Sequence, residues 1–471
     1  MIFPIKKICC IGAGYVGGPT MAVIANKCPD IEVNVVDINS ERINAWNSED
    51  LSKLPIYEPG LDLVIKKCRD KNLFFSTEIK KNIEIADMIF ISVNTPTKEK
   101  GLGAGMASDL RYVEASTRQI SEYARGKTIV VEKSTLPIRT AQTIQGILEV
   151  SNKKSINGKI KEFIVLSNPE FLSEGTAIED LVNPDRILIG GENQEAIDSL
   201  IAIYLRWVNK EKILTTNLWS SELSKLISNA FLAQRISSIN SISALCEKTG
   251  ANIKEVSLAV GSDHRIGAKF LNAGPGFGGS CFKKDISNLV YICKYYGLEK
   301  VASYWEKVID INTWQSKRIS EIVIHKLFGT LSQKKIAILG FSFKANTNDI
   351  RESPAIKICN ELLEEGAILK IYDPKVKKDK VYDAFRKVNN NQEQNLESMK
   401  NPECVNSVLE AIEESDAILI LTEWGEFENL DWKNISTLMR KPSWVFDTRL
   451  ITNIKEAKKY GLNIWSVGDG R

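Results

Sequence analysis

Histidine is almost absent from this chain, with 2 in 471 residues, His264 and His325. Imidazole is thereby removed as the main source of acid–base chemistry and as the main metal ligand, leaving Lys, Asp and Glu. His264 falls in the polar turn Gly261–Arg265 and is expected at the surface. His325 falls in an amphipathic helical stretch and is expected to be structural. A dominant charge is missing too: 62 Lys and Arg against 59 Asp and Glu leave +3. With no dense basic block and no interleaved aromatics, nothing here is suited to nucleic acid. No apolar run approaches the roughly 20 residues of a membrane span, so no membrane partner is expected. The 9 cysteines (9, 10, 28, 68, 246, 281, 293, 359 and 404) contain no C-x-x-C pair and no metal spacing, so no metal site is predicted. The first strand begins within a few residues of Met1, which leaves no room for a signal peptide. The thiols are therefore expected to be reduced, in a cytoplasmic protein, and mostly in its core.

What is present begins near the N-terminus. Lys7–Ile11 is a short apolar run that ends in Gly12-Ala13-Gly14-Tyr15-Val16-Gly17. A helix-compatible stretch follows, then Val33–Val36 reads as a second strand that stops at Asp37, 20 residues past Gly17. This is a G-x-G-x-x-G between strand and helix with an acid at the expected distance. The glycines permit a tight turn and close approach of a pyrophosphate, which the helix N-terminus attracts. Asp37 would bind a ribose diol and repel a 2′-phosphate, so NAD is favoured over NADP, with Arg42 close enough to weaken that preference.

A second glycine-rich loop, Gly276-Phe277-Gly278-Gly279-Ser280-Cys281-Phe282-Lys283-Lys284-Asp285, carries one cysteine among glycines and charges. Structural cysteines normally sit among apolar neighbours, so this placement points to a reactive thiolate. Asp285 follows one helical turn later if a helix starts here. The alternative is a turn that happens to contain a cysteine.

A chain of this length should form two or three domains. Met88–Val93, Thr128–Glu132, Phe163–Ser167 and Ile187–Gly190 read as buried parallel strands alternating with helices. From Trp219 apolar residues recur at helical spacing as far as Gly250. Lys225 and Asn229 share one face of that helix, which could equally be a solvated polar stripe. Lys335–Gly340 repeats the strand-to-glycine opening, and Leu369–Asp373 repeats the second strand, with further strands at Ala417–Thr422 and Trp444–Phe446. This third part has Gly340-Phe341-Ser342-Phe343-Lys344 and Asn348–Pro354 in place of the full glycine motif, so it suits a phosphorylated ligand other than NAD. Lys377–Val405, rich in Lys, Asn, Gln and Glu, reads as a solvated loop with at most one short helix. The predicted class is α/β: two Rossmann-like, doubly wound parallel-sheet domains (1–215 and 329–471) joined by a central long-helix domain (216–328) that carries the cysteine loop.

The chain closely resembles the UDP-glucose 6-dehydrogenases of the UDP-glucose/GDP-mannose dehydrogenase superfamily, eukaryotic members above all, from about residue 5 to about 466. The resemblance rests on Gly12–Pro19, Val93-Asn94-Thr95-Pro96-Thr97, Glu132-Lys133-Ser134-Thr135, Asn168–Gly175, the 276–285 loop and Gly340–Pro354. It implies NAD-dependent, four-electron oxidation of UDP-glucose to UDP-glucuronate with two NAD and one water. One hydride transfer cannot take an alcohol to an acid, so Cys281 would hold the aldehyde as a thiohemiacetal and then as a thioester. By match to the family's motifs, Lys225 would stabilise developing oxyanions and Asn229 would add a neutral donor. Glu170 would activate the hydrolytic water; Thr135 and Asp285 would position a water in the first oxidation.

The resemblance further places Gly12, Ala13, Gly14, Tyr15, Val16, Gly17, Asp37, Arg42, Val93, Asn94, Thr95, Pro96, Thr97, Ser134, Thr135, Glu174 and Arg351 around NAD. Glu170, Phe171, Leu172, Ser173, Glu174, Lys225, Asn229, Asn272, Phe277, Gly278, Lys344 and Arg449 would surround the UDP-sugar. Arg265 would reach a neighbouring subunit's site, which makes a homo-oligomer, at least a dimer and by the eukaryotic resemblance a hexamer, the expected assembly. The 132–138 segment resembles a loop that shifts when UDP-xylose binds as a feedback inhibitor. The rival readings are a dehydrogenase of UDP-N-acetylmannosamine or GDP-mannose, an inactive nucleotide-sugar binder, and a two-electron hydroxyacid-type dehydrogenase. The last has no use for the cysteine.

Overall fold

A computed structural model of the chain describes residues 3–135, 137–152, 161–391 and 401–471. It divides into two compact units, Met1–Ser228 with Ser287–Tyr296, and Asn229–Ile286 with Gly297–Arg471.

The first unit is built on eight strands: β1 (Lys7–Ile11), β2 (Glu32–Val36), β3 (Leu73–Ser76), β4 (Met88–Ile91), β5 (Lys127–Glu132), β6 (Glu162–Ser167), β7 (Ile187–Gly190) and β8 (Ile213–Thr216). Their spatial order is β3-β2-β1-β4-β5-β6-β7-β8. Successive residues of each strand serve opposite faces, as the two-residue period requires. Ile8, Cys10, Val33, Val35, Met88 and Phe90 enter one core, while Cys9, Ile11, Val36, Ile89 and Ile91 enter the other. A sheet covered on both faces explains why these strands read as unbroken apolar runs. One expectation needs correcting. Ile187–Gly190 runs parallel to β8 but meets β6 antiparallel through the single pair Ser167↔Gly190. The apolar run is equally buried either way, so hydrophobicity carries no sign of direction.

The second unit holds β9 (Lys335–Leu339), β10 (Ile368–Tyr372), β11 (Glu403–Cys404), β12 (Ala417–Ile420), β13 (Trp444–Asp447) and β14 (Asn463–Ser466). They form an all-parallel sheet ordered β11-β10-β9-β12-β13-β14. Each sheet reverses its winding beside its first strand, at β1/β4 and β9/β12, which is where open α/β sheets bind ligands. Two long helices, Leu218–Thr249 and Glu299–Lys326, supply the helical middle of the chain.

The stretch 377–405 departs from the predicted loop. Lys378–Asn391 is a 14-residue helix and Glu403–Cys404 a short strand, with 392–400 outside the described residues. Val381, Ala384 and Phe385 are buried at i, i+3 and i+4. That stripe is narrow, and the surrounding charges hide it from composition. His264 and His325 are both exposed.

Candidate active site

In the first unit the sequence after β1 turns sharply at Gly12, whose φ is +110° and whose added Cβ would collide with the Ser92 carbonyl. This is the switch point: the loop after β1 lies against the loop after β4, and only glycine fits. The helix Gly17–Lys27 starts at once. A Cβ on Gly14 would meet nothing within 4 Å, so open space lies over the loop for a pyrophosphate to enter. Trp46 fixes the turn from below by donating its indole N–H to Ala13 O at 2.9 Å.

Asp37 ends β2 with its carboxylate aimed at the same loop. It accepts from Ala13 N (2.9 Å) and Asn39 N (2.9 Å), and pairs with Arg42 Nη1 at 3.0 Å. Arg42 is thus bound to Asp37 and lowers the local negative charge, as the sequence suggested. The Tyr15 hydroxyl donates to Glu58, a buried carboxylate that also accepts from Gly175 N (2.6 Å) and Ala177 N (2.9 Å). Glu58 therefore ties the glycine loop to the 174–177 loop.

The two predicted cofactor motifs beyond the glycine loop are stitched together. Ser134 Oγ donates to Val93 O at 2.7 Å and Thr95 Oγ1 to Thr135 O at 3.1 Å. Beyond them lies Glu170. Its Oε2 is 3.0 Å from the ammonium of Lys133 and accepts from Thr20 Oγ1 at 3.4 Å, while Oε1 accepts from Phe171 N at 2.8 Å. Lys225 is buried with its ammonium 5.2 Å from the Phe171 ring centre, and the Arg186 guanidinium stacks at 3.9 Å. Glu170, Phe171 and Lys225 are thereby brought together; the helical face was no solvated stripe at Lys225.

In the second unit the cysteine loop leads directly into the helix Phe282–Tyr295, with Asp285 N donating to Cys281 O at 2.8 Å. Cys281 therefore sits at a helix N-terminus, where the aligned peptide dipoles favour negative charge. It is half-buried, whereas the other eight cysteines are buried. Asp285, 1% exposed, accepts from Asn229 Nδ2 at 2.6 Å and pairs with Lys284 at 3.3 Å. So Asn229 and Asp285, far apart in sequence, form one buried pair.

Side chains of the helix Glu299–Lys326 hold the glycine loop in place. Asn312 exchanges two hydrogen bonds with the Phe277 backbone (2.7 and 3.0 Å), Ser316 donates to Pro275 O and Gln315 to Gly274 O, both at 2.8 Å. On the other side Gly279 N donates to Arg351 O at 2.8 Å, and a Cβ on Gly278 would lie 2.6 Å from Glu352 O. The loop thus closes against the segment after β9. There Arg449 donates to Phe343 O at 3.0 Å and lies beside Gly274, with Lys344 next in sequence to Phe343. Arg351 is clamped to Asp349. Arg265 is exposed and paired with Asp263 in its own turn, and Asn272 is exposed. Among the described residues no helix is long and apolar enough to cross a membrane.

Lys133, Glu58 and Asn312 were not singled out as site residues from sequence. Lys133 stood inside a quoted motif, but nothing in a lone lysine reveals a buried carboxylate partner.

Two glycine-opened sheets, a dinucleotide loop ending in an acid, and a helix-borne cysteine mark an NAD-linked dehydrogenase. The chain belongs to the UDP-glucose/GDP-mannose dehydrogenase family: it matches that family's NAD binding domain over residues 6–208, central domain over 219–314 and UDP binding domain over 337–454. It is 55% identical over 473 residues to UDP-glucose 6-dehydrogenase 1 of Glycine max, covering 98% of this chain and 97% of that protein. It is 54% identical over 467 residues to UDP-glucose 6-dehydrogenase of Drosophila melanogaster, covering 98% and 96%. Among solved structures it resembles a UDP-glucose dehydrogenase from Pyrobaculum islandicum, with TM-score 0.82, 29% identity and coverage of 99% and 98%. A UDP-D-ManNAc dehydrogenase from Pyrococcus horikoshii follows at TM-score 0.80, 25% identity and coverage of 99% and 100%.

Proposed function

We propose that this protein is a cytoplasmic UDP-glucose 6-dehydrogenase, converting UDP-glucose, two NAD and water to UDP-glucuronate, two NADH and protons. The observation that carries the reading is Cys281, a half-buried thiol at a helix N-terminus in a chain whose other eight cysteines are buried. Bound to this chain, NAD would supply the acceptor for each of the two hydrides. The Gly12–Gly17 loop, Asp37, Arg42, the 93–97 and 134–135 loops, Glu174 and Arg351 hold it.

Thr135 and Asp285 position water for the first oxidation. Cys281 then adds as thiolate to the C6 aldehyde, giving a thiohemiacetal whose oxyanion Lys225 and Asn229 stabilise; such preorganised donors are worth about 3–4 kcal/mol each. Loss of the second hydride leaves a thioester. Glu170 takes a proton from water as its hydroxyl adds to the thioester carbonyl, and Cys281 departs as thiolate. Phe171, Leu172, Ser173, Asn272, Phe277, Gly278, Lys344 and Arg449 bind the UDP-sugar. Its identity as UDP-glucose, rather than a UDP-N-acetylmannosamine or GDP-mannose, rests on the relatives at 54–55% identity.

We assign the NAD domain to 1–215, the central dimerisation domain to 216–328 and the UDP-sugar domain to 329–471. Arg265 completes a neighbouring subunit's site in a dimer that assembles to a hexamer. UDP-xylose inhibits through the 132–138 segment, of which Leu136 lies outside the described residues. The test is stoichiometry: purified protein should form two NADH per UDP-glucose with no free aldehyde. Cys281→Ala should bind both substrates yet make no UDP-glucuronate; near-normal acid formation by that variant refutes the mechanism.

A further inference from the structure

Lys133 follows β5 and is 1% exposed, one of the largest fully buried side chains of the protein. A buried ammonium is costly unless every donor is used. Here all three are: Glu170 Oε2 at 3.0 Å, Asn168 Oδ1 at 3.0 Å and the Tyr204 hydroxyl at 3.2 Å. The cradle is itself fixed. Tyr204, at the end of the helix Gln194–Tyr204, donates to Asn168 Oδ1 at 2.6 Å, and Asn168 Nδ2 donates to Leu188 O at 2.8 Å. Of Lys133's three partners only Glu170 carries charge, and its other oxygen is turned back onto Phe171 N.

We propose that Lys133 is a positioning residue for the hydrolytic half of the reaction: it holds Glu170 ionised and in one orientation, ready to take a proton from water. The inference rests on Glu170 being the base of thioester hydrolysis. A carboxylate in a water-poor site otherwise drifts toward its neutral form, which cannot accept that proton. A fixed cation at 3.0 Å opposes the drift without entering the chemistry.

The groups facing the pair stay in one charge state over the range of an assay, about pH 5 to 9. Burial alone would lower the pKa of Lys133, but Glu170 and Tyr204 outweigh it and leave it raised, so the ammonium stays charged. Tyr204 is raised by burial and stays neutral. Cys10, on β1, is raised well above the ordinary thiol value by burial and stays neutral despite the charge of Lys133. From the helix Gly17–Lys27 only the Thr20 hydroxyl reaches Glu170, and from Leu218–Thr249 the Lys225 ammonium reaches the adjacent Phe171 ring. Lys133, Tyr204 and Cys10 thus keep one charge state across the assay range, so a limb that moves on removing Lys133 reports the base.

The experiment uses the purified oligomer with UDP-glucose and NAD, rapid quench and mass spectrometry of the acyl-enzyme on Cys281 across pH. Lys133→Gln keeps hydrogen bonding and removes the charge; Lys133→Arg keeps the charge. With Lys133→Gln the acid limb of thioester hydrolysis should move up by about one pH unit or more, costing about tenfold in rate below the limb. Acyl-enzyme should accumulate while the first hydride transfer stays within about threefold. Lys133→Arg should return the limb toward wild type. An unmoved limb in folded Lys133→Gln, or equal loss in both half-reactions, overturns the proposal.

Stability covers failure to fold. Lys133→Gln should lose more stability at pH 8 than at pH 5, and Lys133→Gln/Glu170→Gln should not. A single variant that folds only at low pH, or only as the double variant, supports the charge pairing. If neither single nor double variant folds, Lys133 is a packing residue and the proposal fails. Glu170→Gln separates the two claims: without accumulated acyl-enzyme in that variant, the assignment of Glu170 itself is wrong.

Discussion

Alkylation with iodoacetamide should single out Cys281, and the margin follows from burial. Cys9 is pushed up to about 12 and Cys28 to about 11, chiefly by desolvation. Cys10, Cys68, Cys246, Cys293, Cys359 and Cys404 are raised as well, burial being the largest cause in each. At pH 8 an accessible thiol of ordinary acidity is on the order of one-tenth ionised, against about 10⁻³ for Cys28 and about 10⁻⁴ for Cys9. Only thiolate reacts, so those two should lag an accessible cysteine by about 100- to 1,000-fold before steric exclusion is counted. Cys281 is the one cysteine that is not buried. The assay is timed labelling at pH 8, quenched and read by peptide mass spectrometry beside residual activity. Inactivation should track modification of Cys281 one-to-one, and UDP-glucose should slow both. Labelling of Cys246 or Cys293 at the same rate, or inactivation with Cys281 unmodified, refutes the argument.

Asp37→Ala should raise the NAD KM by about 10- to 100-fold, the loss of a charged hydrogen-bonding partner, and narrow the preference over NADP; equal wild-type rates with both cofactors refute the charge argument. Arg265→Ala should weaken UDP-glucose binding and leave NAD binding intact. Mixed oligomers of Arg265→Ala and Cys281→Ala subunits should recover activity, and no recovery rejects a shared site. Glu132, 1% exposed and pushed well above the usual carboxylate range by burial and then by the neighbouring Glu222, should make stability pH-dependent. A carboxyl raised on folding contributes stability below its unfolded value of about 4.5 that is lost as pH rises through the folded value. Glu132→Gln should therefore gain Tm relative to wild type between pH 5 and pH 8; parallel curves count against it.

The parts of the site that could be read from sequence were those whose logic is local. The Gly12–Gly17 loop and Asp37 announce themselves because the turn, the helix start and the acid all follow within one β–α–β stretch. The Cys281 loop did so because a cysteine among glycines contradicts the usual reason for burying a thiol. The family resemblance supplied what locality could not, naming both Asn229 and Asp285 as site residues, but that the two pair across more than fifty residues is legible only in the structure. Neither route singled out Lys133. Its role depends on Asn168, Glu170 and Tyr204 converging from three other segments, and a lysine's charge looks the same in sequence whether solvated or buried. The helix Lys378–Asn391 was hidden for the opposite reason: three apolar residues suffice to anchor it, too few to colour a composition dominated by charge.

The two sheets also show how one topology separates two ligands. Each second strand delivers an aspartate to the loop after the first strand, Asp37 after β2 and Asp373 after β10. Asp37 takes one loop N–H, from Ala13, and leaves Gly14 bordered by open space. Asp373 instead takes Phe341 N (2.7 Å) and Ser342 N (2.9 Å) on a single oxygen, with the Trp424 indole at 3.2 Å. Its loop N–H groups are spent internally, so they cannot also cradle a diphosphate. A loop that has given up its backbone donors must bind anions with side chains, and the basic groups beside it are Lys344 and Arg449. Side-chain recognition needs no glycine at the position of Gly14, and Ser342 stands in that part of the loop. On the proposed function, the second sheet would handle phosphate through Lys344 and Arg449 instead of backbone and helix N-terminus, which would account for the loss of the third-part glycine motif.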